Sequence, residues 1–162
     1  MMPQIIDRRL FAILALALIA ACATPVTSTK AQPMTMHARG TFTVKMASLP
    51  ADAPAGSTHG RLSLDKVYTG DLDATGKGEM IAIRPDAQGS GVYMAIERVS
   101  GVMNGKRGAF TLAHRGVMNR GMPDLSIDIV PDSGDGELAG IAGKLTLTIA
   151  NGVHAYDIEY TQ

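Results

Sequence analysis

Val92-Tyr93-Met94-Ala95-Ile96-Glu97-Arg98-Val99-Ser100-Gly101-Val102-Met103-Asn104-Gly105-Lys106-Arg107-Gly108-Ala109-Phe110-Thr111-Leu112-Ala113-His114 is the stretch whose reading decides the fold. Asn104-Gly105 is the strongest short hairpin signal in the chain, because both residues tolerate the positive φ of a type I′ turn. On one side Val92 to Val99 is a β run. On the other, Phe110, Leu112 and His114 share one face of an extended chain.

The same period of two continues outward in both directions. Phe42, Val44 and Met46 alternate with Thr41, Thr43 and Lys45, and Leu62 and Leu64 with Arg61, Ser63 and Asp65. Met80 to Ile83 precedes Pro85, and Ala87-Gln88-Gly89-Ser90-Gly91 reads as a turn. Downstream, Leu125, Ile127 and Ile129 form one run and Leu145, Leu147 and Ile149 another. Asn151-Gly152 is a second hairpin turn, followed by Val153 to Tyr160. The count is eight short strands and no helix. Tight turns favour an antiparallel meander, and closing it into an eight-stranded barrel removes the exposed edges. A two-sheet β-sandwich fits the same periodicity. Leu49 to Gly60, with Pro50, Pro54 and Gly56, is expected to form a long mobile loop over one rim.

The chain begins differently. Arg8 and Arg9 precede an apolar stretch from Leu10 to Ala21, too short for the roughly 20 residues of a spanning helix. A charged segment, a short apolar segment and small residues are the parts of a secretion signal. Ile19-Ala20-Ala21-Cys22 resembles a bacterial lipobox, which predicts a signal peptide over 1–21 and a lipid anchor on Cys22 carrying palmitate-like acyl chains. Ala23 after the cysteine fits outer-membrane sorting. The competing reading is cleavage after Ala23, which releases a free periplasmic protein, since Ala21-Cys22-Ala23 is itself an A-x-A pattern. Arg8-Arg9-Leu10-Phe11 resembles part of a twin-arginine signal, but the motif is incomplete and general secretion is the expected route. Residues 22–36, rich in Thr, Ser, Pro and Lys, read as a flexible tether, and 37–162 as a single β-domain.

Cys22 is the only cysteine, so a disulfide and a cysteine-built metal site are both excluded within the chain. Fifteen basic residues balance fifteen acidic ones, which speaks against a nucleic-acid partner. The remaining length suits one domain with a real core. Tryptophan is absent and ten methionines supply apolar filler.

Several motifs occur together and in order: Gly40-Thr41-Phe42-Thr43-Val44, Lys66-Val67-Tyr68-Thr69-Gly70-Asp71-Leu72, Ala95-Ile96-Glu97-Arg98-Val99, Gly108 to His114, Val130 to Gly140, and Gly152 to Tyr160. In combination they resemble a family of small bacterial proteins known as domain of unknown function number thirty-two twenty-four, across roughly 38–161. Members of that family are similar to the allene oxide cyclase barrel. The resemblance implies a closed eight-stranded antiparallel barrel with an internal cavity, and no particular chemistry.

Glu97 is a carboxylate in an otherwise apolar strand. Facing the lumen, it would be desolvated, its pKa would rise, and it would suit acid–base work. The competing arrangement points it to water or pairs it with Arg98 or Lys66. His114 shares a face with Phe110 and Leu112, and His154 with Tyr156, Ile158 and Tyr160. Glu97, His114, His154 and Tyr156 are therefore the candidate ligand-binding residues, expected to mark one polar end of the interior. The alternative is that both histidines are satisfied side chains capping a core. Zinc spacing such as H-E-x-x-H is missing. Pro131 to Glu137 lacks the order of calcium ligands in an EF-hand loop. Gly76-Lys77-Gly78 lacks the following helix of a phosphate cradle, and Ser133 has no evident base partner. No metal and no cofactor are expected. Three functions remain open: a lipid-anchored module binding a small, largely apolar molecule, a cyclase- or isomerase-like enzyme using Glu97, or a structural envelope protein with a filled core.

Overall fold

The computed structural model describes residues 34–52, 56, 58–85 and 88–162. The signal segment, Cys22 and all but the last residues of the tether lie outside them. The described chain is built of strands: β1 (Met36–Leu49), β2 (His59–Gly70), β3 (Leu72–Ile83), β4 (Gly91–Met103), β5 (Lys106–Asn119), β6 (Met122–Ile129), β7 (Asp135–Gly136), β8 (Ala142–Ala150) and β9 (Val153–Thr161). No helix among the described residues is long and apolar enough to cross a membrane.

Every pairing is antiparallel. With β7 set aside, neighbours in sequence are neighbours in space. The meander closes because β1 pairs with β9 and β4 with β5, giving an eight-stranded barrel to which the two-residue β7 is added. The sandwich alternative is thereby set aside. One seam is thin: β6 meets β8 through the single pair Asp128–Lys144. Beyond the end of β6, β7 takes over as the partner of β5, pairing with Gly108 and Ala109.

The turns follow from residues that accept positive φ. Asn104-Gly105 (49° and 81°) and Asn151-Gly152 (51° and 77°) adopt it as the sequence predicts, and Arg120-Gly121 (51° and 85°) does so with no such signal in its first residue. The connection from β1 to β2 is residues 50–58, shorter than the sequence reading, and 53–55 and 57 fall outside the described residues.

Inward positions alternate as the period of two requires. At the end where β1 begins and β9 finishes, the interior is packed. Ala38, Tyr68, Val99, Met103, Phe110, Ile158 and Tyr160 are all 2% exposed or less. Leu138 and Ile141, from the connection between β7 and β8, are buried against the same cluster and plug that end. At the opposite end the interior stays open. A cavity of about 570 Å³ is lined there by Met80, Ala82, Tyr93, Leu125, Leu147 and Ile149, among others.

Candidate functional site

Between the packed end and the cavity lies a polar layer. Glu97 is fully buried (0% exposed), with Lys66 at 6% and His114 at 5%. They are the buried charged or polar residues of the described chain. The register explains the meeting. Glu97 on β4 is paired with Gly78 on β3 and Leu112 on β5, while Lys66 on β2 is paired with Gly76. Gly76 provides the room, since a Cβ there would stand 1.9 Å from Glu97 Oε1. The pattern Gly76-Lys77-Gly78 thus serves space for a carboxylate.

Lys66 Nζ donates to Glu97 Oε2 at 2.6 Å, and the Tyr68 hydroxyl donates to Glu97 Oε1 at 2.8 Å. Lys66 Nζ also lies 3.3 Å from the Tyr68 hydroxyl and 4.5 Å above the Phe42 ring, a cation–π contact. His114 Nε2 stands 3.1 Å from Glu97 Oε2. The carboxylate is its nearest polar partner, met off the line of an ideal hydrogen bond.

Burial by itself raises the Glu97 pKa, as the sequence reading expected. His114 beside it, the Lys66 charge, and the hydrogen bonds from Lys66 and Tyr68 outweigh that effect, so Glu97 is held below the usual carboxylate value. The expectation of a raised pKa is corrected here, because a cation that the sequence did not place inside faces the carboxylate. Burial, followed by the Glu97 charge and hydrogen bond, pushes the Tyr68 hydroxyl far up. Glu97 is therefore an anion at neutral pH and Tyr68 a neutral donor.

The four candidates all project inward, but they do not converge. Glu97 and His114 touch. His154 is half-buried and stacks on Phe42, with ring centroids 5.1 Å apart. Tyr156 is spent elsewhere: its hydroxyl accepts from the Leu72 amide and donates to the Thr69 carbonyl, each at 3.1 Å, which fastens the β2–β3 turn. Burial raises its pKa. Arg98, the other suggested partner of Glu97, faces outward. It donates to Asp135 and to the Ser133 carbonyl. In the same connection the Asp135 carboxylate accepts from the Ala109 amide and Ser133 Oγ from the Thr111 amide. This acid-rich segment is accordingly a structural clasp on β5. No group of three or more metal-ligating side chains occurs among the described residues.

Sequence reasoning treated Lys66 only as a possible partner and missed Tyr68. The signal was present: extending the Leu62–Leu64 alternation by two steps puts Lys66 and Tyr68 on the inward face.

Residues 38–160 match the family described as "Protein of unknown function (DUF3224)". The chain belongs to the DUF3224 family. A crystal structure of a protein with unknown function from the DUF3224 family of Shewanella oneidensis MR-1 is 38% identical to it, with a TM-score of 0.75. The match covers 78% of this chain and 96% of that one. No curated protein matches. The family relation carries the barrel and leaves the chemistry to be argued from the site.

Proposed function

We propose that this DUF3224 protein is an envelope binding module whose barrel mouth holds one small, largely apolar molecule. The observation that carries the reading is the contrast within one barrel: a packed end, and an open end with a cavity of about 570 Å³. That volume falls within the roughly 300–1,000 Å³ of small-molecule sites, and the mainly apolar lining suits such a ligand. Small inward residues such as Ala82 and Gly116 are part of that lining. Ile19-Ala20-Ala21-Cys22 supports a lipid anchor on Cys22, and Ala23 supports a place at the outer membrane facing the periplasm.

The enzyme reading needs Glu97 to take up or release a proton. Ion-paired to Lys66 and held below its ordinary pKa, Glu97 is poorly suited to that.

Native mass spectrometry of the protein taken from its own envelope tests the binding reading. The expected spectrum carries an added mass from one small molecule, lost in an Ala82→Trp variant that fills the mouth. Bare protein in every preparation would remove the reading. For the anchor, Cys22→Ser should move the protein from the membrane fraction to the soluble periplasm, and unchanged membrane retention would refute it.

A further inference from the structure

The polar layer and the cavity are neighbours along the same strands. On β5 the inward positions after His114 continue with Gly116, which lines the cavity. On β4 the step from Glu97 toward the mouth passes Ala95 and reaches Tyr93, which also lines it. The Tyr93 ring fills the notch left by Gly116, where a Cβ would stand 2.1 Å from Tyr93 Cε1. Tyr93 is half-buried and makes no hydrogen bond to described residues. One aromatic ring and two very small residues thus separate the apolar cavity from the polar layer.

His114 supplies the second observation. A buried polar atom without a partner is uncommon and costs stability. Nε2 is turned to Glu97 Oε2 at 3.1 Å, so Nδ1 is the ring nitrogen left without a hydrogen bond to described residues, and the residue is 5% exposed. Lys66 keeps 6% of its surface and Glu97 none. Because both side chains project inward, what remains exposed of Lys66 and His114 opens on the lumen. Lys66 and Glu97 already neutralise each other through a 2.6 Å ion pair. A second charge brought into this layer would find no counter-charge, and burying an unpaired charge is far costlier than burying a hydroxyl that gains a hydrogen bond.

From this geometry, and resting on the binding reading above, we propose that the ligand is an uncharged amphiphile. Its apolar body occupies the cavity, and a hydroxyl tip passes Tyr93 to donate a hydrogen bond to His114 Nδ1. The ligand class is a long-chain alcohol in the chemical sense, not a fatty acid. Tyr93 swings from the Gly116 notch on binding, and its hydroxyl stays at the mouth, where water partners it.

The test uses 1-decanol and decanoate as probes, titrated calorimetrically into the intact mature domain at pH 8, where decanoate is ionised. Decanol should bind at least about tenfold more tightly, the worth of roughly one well-made hydrogen bond set against one unpaired charge. In nitrogen-15 spectra decanol should shift the His114 ring nitrogens. His114→Leu should lower decanol affinity by about tenfold and leave decanoate unchanged. Should that variant fail to fold, the wild-type spectra decide. Equal or tighter decanoate binding overturns the uncharged tip. Binding of both probes with the His114 nitrogens unmoved overturns the subsite and leaves the cavity reading intact. Binding of neither probe removes both.

Discussion

The packed and open halves of the barrel are made from the same strands with the same alternation, and they differ in what their inward positions meet. In the packed half, Tyr68, Met103, Phe110 and Tyr160 cross the lumen, and Leu138 and Ile141 close it from outside the barrel wall. In the open half the inward positions are equally apolar, yet Ile149 is 61% exposed and Met46 56%. Strand periodicity therefore builds a wall and says nothing about whether the space inside is filled. Filling depends on side-chain size across the lumen and on a plug supplied by a connection remote in sequence. The polar layer of Glu97, Lys66 and His114 lies where one regime gives way to the other.

If the halves differ in this way, truncations should separate them sharply. Phe110→Ala removes a fully buried ring and is expected to cost about 3–5 kcal/mol of unfolding free energy. Ile149→Ala should stay within about 1 kcal/mol, since little of its surface is buried. Urea denaturation of the two variants measures both. Comparable losses would mean that the mouth is packed in solution and that the comparison is wrong.

The polar layer should behave like the packed half. Glu97→Gln leaves the Lys66 ammonium buried opposite a neutral amide, and such broken pairs lose about 3–5 kcal/mol. Replacing both together, Lys66→Met with Glu97→Leu, should recover most of that loss, because an apolar pair needs no desolvation of charge. A double variant as unstable as the single one would show that the layer is held by something other than the pair.

A smaller effect follows from the titration of the same carboxyl. Glu97 has a lower pKa folded than its ordinary value of 4.5. Its contribution is therefore complete above about pH 4.5 and is lost as pH falls through the lowered folded value. Wild-type stability should decline on the acid side of pH 4.5 more steeply than that of the double variant, which lacks the group. Parallel acid limbs would contradict the direction given for Glu97.

Much of the wall was legible from sequence. Alternation and apolar runs marked part of each of the eight barrel strands, β3 only at Met80 to Ile83 of its Leu72–Ile83 span, and Asn104-Gly105 and Asn151-Gly152 located two of the turns. Facing was not legible, because period two marks two faces without saying which is inside. For that reason the sequence singles out Glu97 as a site residue, while Lys66, two positions past Leu64 on the same face, enters only as its possible partner. The sequence weighs Gly76-Lys77-Gly78 only as a phosphate cradle, when the role of Gly76 is the empty volume beside Glu97. The plug was hidden as well: Leu138 and Ile141 sit among glycines and acids whose composition reads as a turn. Only three-dimensional closure brings them into the core, with Leu138 against Gly108 of β5.

The smallest effect concerns the turns at the two ends. At the packed end Asn104 does more than accept positive φ: its Nδ2 donates to the His37 carbonyl and to the Tyr160 hydroxyl, at 3.0 and 2.9 Å. At the mouth Arg120 holds φ of 51° with no side-chain hydrogen bond to described residues in return. A left-handed backbone costs an ordinary side chain about 1–2 kcal/mol, and asparagine is among the residues that bear it best. Arg120→Asn should thus stabilise the protein by about 0.5–1 kcal/mol, the usual gain from a compatible turn substitution. The reciprocal change, Asn104→Arg, should cost more than that gain, because two hydrogen bonds at the packed end are lost along with the conformational preference. Thermal unfolding of both variants is the measurement. A destabilising Arg120→Asn would mean that the guanidinium makes a contact at the mouth that matters to folding, and the open end would then be less independent of its rim than the geometry indicates.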